Sequence, residues 1–296
     1  EIWNEILPPG VFNVICDDGD LGDALTSHPG IAKIGFTGST ATGKKVMASA
    51  SGTLKRVTLE LGGNDPALVL DDVDPIETAR QVFTAAMSNA GQICLAAKRV
   101  FVPVSMYDTF CNEMARLADA TIVGDGLDPR TTMGPIQNAA QFEKALGYLE
   151  DARKSGKIIA GGKPIPGPGY FIRPTIVRDI PDSARLVREE QFCPVLPVLS
   201  YDDLDDAIKR ANATEYGLGA TVWGRDLKRA FDVAMRIEAG NVWVNDHMAF
   251  DFGVTARGAK FSGLGGEFGE EGFNSYTQAY VVYQTAPEGA RHDDAT

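Results

Sequence analysis

A chain of 296 residues, 44% hydrophobic and 23% charged, has an ordinary globular composition and is long enough for one large or two ordinary domains. Its formal net charge of -12 argues against nucleic acid as a partner, because binding a phosphate backbone needs a cationic face. No apolar run approaches the roughly 18 residues of a membrane span and the first residues are not a signal peptide, so no membrane partner is expected. The four cysteines, Cys16, Cys94, Cys111 and Cys193, show no C-x-x-C spacing and are sparse, which points to a reducing compartment, the cytoplasm. The histidines His28, His247 and His292 are far apart and predict neither a metal cluster nor an obvious imidazole base. Glu1 stands where a full gene product has methionine, so the chain reads as a processed product or as part of a longer one.

Residues 1–10 read as the end of a helix closed by Leu7-Pro8-Pro9-Gly10. Val11–Cys16 alternates as a short strand, Asp17–His28 reads as a helix and Ile31–Phe36 as a second strand, an order that predicts a βαβ unit and a parallel sheet. Gly38–Lys45, G-S-T-A-T-G-K-K, matches a phosphate loop as far as Lys44, but Lys45 stands where that loop needs a magnesium-binding hydroxyl. An NTPase reading, with Ala67–Leu70 and Asp71-Asp72 as its acidic strand, would also leave Cys94 and Glu60 unexplained. A glycine turn opening a helix still suits an anion, and the alternative is an ordinary capped helix start at Ser39 or Thr40.

Val57–Gly63, V-T-L-E-L-G-G, is an alternating β-branched run with one carboxylate near its end, a residue rare in such strands unless used or paired. Asp71–Pro75 is an acidic loop capping a helix from near Ile76, and Phe83–Ala90 reads as buried helix stopped by Gly91. Cys94 therefore sits just past a helix end, with Lys98 and Arg99 a few residues on. Cations favour a thiolate and a helix C-terminus opposes it, so the direction of the thiol's pKa shift stays open at this point. Its role is open too: a small packed hydrophobe is the plain alternative to a nucleophile.

Further on, residues 100–123 read as strand then amphipathic helix, 124–135 and 161–169 as surface loops, and 142–154 as a helix. Strands at 171–177 and 195–199 flank Glu189–Pro194; a helix at 202–211, a strand at 218–222, a helix at 227–237 and a strand at 241–245 follow. Tyr276–Gln284, Y-T-Q-A-Y-V-V-Y-Q, reads as a strong strand with an edge to be paired, ahead of a polar tail.

G-Q-I-C around Cys94 and L-E-L-G-G around Glu60, at this separation, resemble the aldehyde dehydrogenase superfamily. F-T-G-S-T at 36–40, E-Q-F with Pro194 at 190–194, K-F-S-G at 260–263 and the run Leu264–Tyr276 follow in that family's order, so the resemblance reaches to about Gln284. It implies an α/β fold: a parallel-sheet αβα catalytic domain at 62–264, preceded by an incomplete Rossmann-like segment at 1–61. A C-terminal segment with an oligomerisation strand at 265–285 and a tail at 286–296 complete the expected order. It implies oxidation of a small-molecule aldehyde with NAD(P), through a thiohemiacetal and thioester on Cys94, with Glu60 as general base and Glu267 shuttling protons towards it. Gly38, Ser39 and Leu61 would lie against the dinucleotide, Glu190 would bind the nicotinamide ribose and Phe192 would pack near the ring; no metal is implied, and a homo-oligomer would form through 276–284. A solvated acidic turn is the alternative for Glu190, and surface charge the alternative for Glu267.

The sequence also departs from the family. Cys193 stands where glycine is usual, and a side chain there is expected to crowd the turn if the backbone needs a positive φ. Thr255-Ala256-Arg257-Gly258 replaces a proline, an aromatic and two glycines, leaving Arg257 to meet an acidic substrate or to face water. The family's N-terminal portion, with the lysine that holds the adenosine ribose and the asparagine that donates to the oxyanion, has no counterpart in this sequence. Two expectations follow: oxidation with NAD(P), or weakened or lost cofactor binding with Cys94 and Glu60 serving cofactor-independent addition, acyl transfer or hydrolysis, or a non-catalytic binding subunit. Which aldehyde is used, and NAD against NADP, are not legible.

Overall fold

The structure, a computed structural model, describes residues 2–285, and the expected tail at 286–296 lies outside them. In chain order the elements are α1 (Ile2–Ile6), α2 (Gly22–Ser27), β1 (Lys33–Thr37), α3 (Thr40–Ser51), β2 (Arg56–Glu60), β3 (Asp65–Val69) and α4 (Pro75–Met87). There follow β4 (Ala97–Pro103), α5 (Tyr107–Ala120), α6 (Ala139–Ser155), β5 (Lys157–Ala160), β6 (Thr175–Arg178), α7 (Arg185–Arg188), β7 (Val195–Tyr201) and α8 (Leu204–Asn212). The last are β8 (Tyr216–Gly217), β9 (Gly219–Trp223), α9 (Leu227–Ala234), β10 (Asn241–Val244), β11 (Ala259–Lys260), β12 (Gly263–Leu264) and α10 (Gly269–Asn274).

Strands β3, β4 and β9 are buried along their whole length, which is why they read as unbroken apolar runs and why the sheet they form is parallel and covered on both faces. That sheet has the order β10-β9-β3-β4-β7-β6-β5, with only β5 antiparallel to its neighbour. Alternation divides its core: Ala67, Val69, Val100 and Val102 face Val82 of α4 with Phe110 and Met114 of α5, while Leu68, Leu70 and Phe101 join Leu149 of α6, Ile208 of α8 and Val233 of α9. The layers are therefore αβα. Helix α4 starts where Asp74 accepts the N–H groups of Ile76 and Glu77, with Pro75 in its first turn.

A second sheet carries β1 and β2 in parallel, joined through α3, with β12 returning antiparallel to β2. On one face Val46 of α3 packs against Leu59 and Leu61. Register places Lys33 beside Arg56 and Thr37 beside Glu60, so Thr58 and Glu60 look out on the opposite, polar face. The end of the chain covers that face. Lys33 Nζ donates to Thr58 Oγ1 at 2.6 Å and lies 4.9 Å from the Tyr276 ring centre, and Arg56 donates to the Thr277 carbonyl.

Three expectations are corrected. Val11–Cys16 is not a strand but exposed loop, because no described strand lies beside it to take up its hydrogen bonds; the βαβ unit is β1-α3-β2, one element later. The helix expected over 17–28 is confined to 22–27, since the Asp17 carboxylate ties up the Leu21 N–H in a turn. Residues 276–284 pair with none of the described strands, and Tyr280, Val281, Val282 and Tyr283 are exposed.

Candidate active site

Helix α4 ends at Met87, short of the glycine expected to stop it, and Asn89, Ala90 and Gly91 then take φ values of 50°, 56° and 71°. This left-handed turn throws the next residues across the ends of β3 and β4. Gln92 anchors them, donating to the carbonyls of Asn89 at 3.1 Å and Pro135 at 3.2 Å and accepting from the Gln137 N–H at 2.8 Å. Cys94 follows, partly buried and unpaired with any other cysteine.

The two glycines after Glu60 are explained by what surrounds them. A Cβ on Gly63 would lie 2.7 Å from the Cys94 carbonyl oxygen and 2.6 Å from Asp65 Oδ1, and one on Gly62 would collide with Glu190 Oε2. Glu190 Oε1 accepts the Gly63 N–H at 3.0 Å, so the strand end is gripped between the cysteine loop and this carboxylate.

One cavity of about 520 Å³ opens here, and Cys94, Gly38, Ser39, Leu61, Glu190 and Phe192 all line it. These are six of the eight site residues expected from the sequence. The other two, Glu60 and Glu267, do not line it. The Glu60 carbonyl accepts the Gly38 N–H at 3.0 Å at the cavity rim, but its side chain belongs to the polar face of β2. There Glu60 Oε1 is buried without a hydrogen-bond partner, and burial first and the Glu267 carboxylate second push the Glu60 pKa up to about 7. The expected cysteine and base thus fall into neighbouring groups of charges, Cys94 with Lys98, Asp65 and Glu190, and Glu60 with Glu267.

Burial raises the Cys94 thiol pKa above its ordinary value; Lys98 and the Leu95 N–H work against that rise, and Asp65 and Glu190 add to it. The sign left open by the sequence is therefore upward. Asp65, 1% exposed, has no hydrogen-bonded partner for either oxygen, and burial pushes its pKa up to about 7.

The structure also resolves the sequence's departures. Cys193 keeps an ordinary φ and lies in the core, 3% exposed; the left-handed residue is Phe192, at φ 48°, so the expected crowding does not arise. Arg257 faces water, its side chain about half exposed at 48%, and forms an ion pair with Glu271.

Three contributors were missed by sequence reading. Gln141 of α6 donates to the carbonyls of Gln191 and Phe192 at 3.0 and 2.8 Å, holding the strained residue, and Lys144 lines the same cavity one helical turn on. Their i, i+3 spacing puts them on one helix face, the one local signal they carried. His247 Nε2 lies 2.7 Å from the Leu95 carbonyl, which fixes it as the protonated nitrogen; Nδ1 is buried without a partner, and burial pushes the pKa down to about 4. Among the described residues no three His, Cys, Asp or Glu side chains converge to hold a metal.

A cysteine loop locked between two strand ends, opposite a carboxylate and a helix N-terminus in one cavity of an αβα fold, marks the class. The sequence matches the Aldehyde dehydrogenase family over residues 1–282, and the chain belongs to that family. A betaine aldehyde dehydrogenase of Cereibacter sphaeroides is 41% identical over 278 residues, an overlap of 94% of this chain and 58% of the relative. One of Rhizobium etli is 39% identical over 288 residues, covering 96% of this chain and 59% of the relative. Among solved structures, an NAD+ complex of an aldehyde dehydrogenase from Bacillus cereus aligns with a TM-score of 0.85 at 39% identity, over 87% of this chain and 52% of that one. The gamma-glutamyl-gamma-aminobutyraldehyde dehydrogenase of Burkholderia cenocepacia aligns with a TM-score of 0.88 at 39% identity, over 91% of this chain and 56% of the other. The chain thus spans little more than half the length of the relatives it matches. Among its described residues no helix is long and apolar enough to cross a membrane.

Proposed function

We propose that this chain carries the catalytic portion of an enzyme that oxidises an aldehyde to a carboxylic acid with NAD(P), Cys94 being the nucleophile and Glu60 the general base. The observation that carries the reading is the single cavity in which Cys94 faces Glu190, Gly38 and Ser39. The residues suit a dinucleotide: Glu190 Oε2 accepts no hydrogen bond from the described residues and lies beside a glycine, and Ser39 caps a 12-residue helix whose first N–H groups suit a phosphate. When bound, the nicotinamide supplies the two-electron acceptor.

The residues of the chain do the rest. A buried thiol with a raised pKa must lose its proton to attack, and Glu60, titrating near neutrality, accepts it through water. Sulfur then bonds to the carbonyl carbon, with the Cys94 backbone N–H as one donor to the oxygen. After oxidation the acyl group leaves as Glu60 takes a proton from water, the hydroxyl oxygen adds to the thioester carbon and the carbon–sulfur bond breaks. Glu267, whose charge acts on Glu60, passes the proton onward.

A second reading, hydrolysis or acyl transfer without any dinucleotide, has one observation in its favour: the thiol and the carboxyl near pH 7 that it needs are both on this chain. One experiment separates the two. Aldehyde with NAD+ or NADP+ is expected to give nicotinamide reduction in step with carboxylate, whereas turnover of an activated ester alone would favour the second reading; neither activity would end both.

Exposed Tyr280, Val281, Val282 and Tyr283 support a third element of the proposal, that 276–284 pairs with a second copy of the chain. Sedimentation is expected to show an oligomer that becomes a monomer when 276–284 is removed, and an unchanged mass would refute it.

A further inference from the structure

Lys98 is one of the most deeply buried charged residues among the described residues, 2% exposed, and no salt bridge closer than 3.9 Å holds it. Its ammonium donates instead to three backbone carbonyls, those of Ile93 at 3.0 Å, Cys94 at 2.5 Å and Ala96 at 3.3 Å. An ammonium has three donors, and here all are consumed by the loop that bears the sulfur, so Lys98 is not free to bind a ligand. Burying such a charge is costly, and an apolar side chain would fill the space at less expense.

The peptides explain the choice. In a trans peptide the carbonyl and the following N–H point in opposite directions, and no peptide here is cis. Drawing the Ile93 and Cys94 carbonyls to one ammonium turns the N–H groups of Cys94 and Leu95 away from it. The Leu95 N–H in consequence supports the sulfur. We propose that Lys98 is a positioning residue, which orients the two peptides on either side of Cys94 and places a fixed positive charge behind the sulfur so that the thiolate forms. The proposal rests on the reading of Cys94 as nucleophile. Other charges bear on the same sulfur: Asp65 from β3, itself beside Arg99 of β4, and Glu190 from the loop before β7, with neutral His247 after β10 against the Leu95 carbonyl.

The test is the pH dependence of Cys94 alkylation by iodoacetamide, followed on the Cys94 peptide by mass spectrometry. Lys98→Met, which keeps the length and removes the charge, is expected to raise the midpoint by about one unit and to slow alkylation about tenfold on the acidic limb. An unchanged midpoint with Cys94 still reactive would overturn the role of Lys98 and leave the nucleophile intact. An inert Cys94 in the unaltered chain at every pH would instead remove the nucleophile, and this proposal with it. If Lys98→Met does not fold, Glu190→Gln is compared with the double variant Lys98→Met/Glu190→Gln, in which the ammonium is not removed from beside a charged Glu190. The same upward shift between those two supports the proposal, and its absence refutes it.

Discussion

Replacing Cys94 by alanine is expected to lower turnover by about a thousandfold or more and to abolish any thioester-forming adduct, because Cys94 is the one thiol among the residues that line the cavity. The remaining cysteines provide the controls. Cys111 and Cys193 are buried, and burial pushes both thiols up to about 12, so neither offers a thiolate near neutrality. Cys16 is exposed in the loop after α1 and is not among the residues that line the cavity. Cys16→Ala and Cys111→Ala are expected to leave turnover nearly unchanged, with Cys111→Ala lowering thermal stability instead. Steady-state rates together with intact-mass measurement after incubation with aldehyde decide the matter: an adduct or full turnover in Cys94→Ala would remove the assignment.

Glu60→Gln is the second large effect expected, a loss of about 10² to 10⁴ in the rate of acyl release. The sign of its pH dependence follows from burial and from Glu267, which lift the carboxyl pKa to about 7. The base form is the deprotonated one, so the rate in the unaltered chain should climb about tenfold per pH unit below about 7 and level off above it. In Glu60→Gln that limb should be flat. Stability runs the other way. A carboxyl whose folded pKa lies above its unfolded value holds a proton that the unfolded chain gives up, so its ionisation weakens the fold as pH rises from about 4.5 to about 7. Denaturant melts at pH 5 and pH 8 should show a smaller difference in the variant. A rising limb that survives Glu60→Gln would assign the titration to another group, Asp65 being the first to examine because it too titrates near 7.

What the sequence disclosed depended on whether the cause was local. Strands β3, β7, β9 and β10 stood out because each is a compact apolar run, and α4 because its cap and its apolar face are both written in consecutive residues. Val11–Cys16 was marked by alternation instead, yet a strand needs a neighbour and the alternation says nothing about who that is. The same limit hid part of the site. Cys94 and Glu190 were marked by motifs, whereas Gln141, Lys144 and His247 reach the cysteine loop or its cavity from elements remote in sequence, each in an unremarkable local setting. Lys98 was noticed only as a cation near sulfur; that its charge is spent on three carbonyls depends on the left-handed turn before it, which no pattern of residue types announces.

The polar face of β2 is roofed by the last stretch of the chain, through β12, Tyr276 and Thr277. Contacts so far apart in sequence form against a loop-closure cost that local contacts do not carry. During synthesis the strand bearing Glu60 emerges ahead of the residues that cover it and stays uncovered until those at 263–277 have followed. A product interrupted ahead of Gly263 would present this carboxyl to water, free of both influences that lift its pKa, and would titrate like any solvent-facing glutamate.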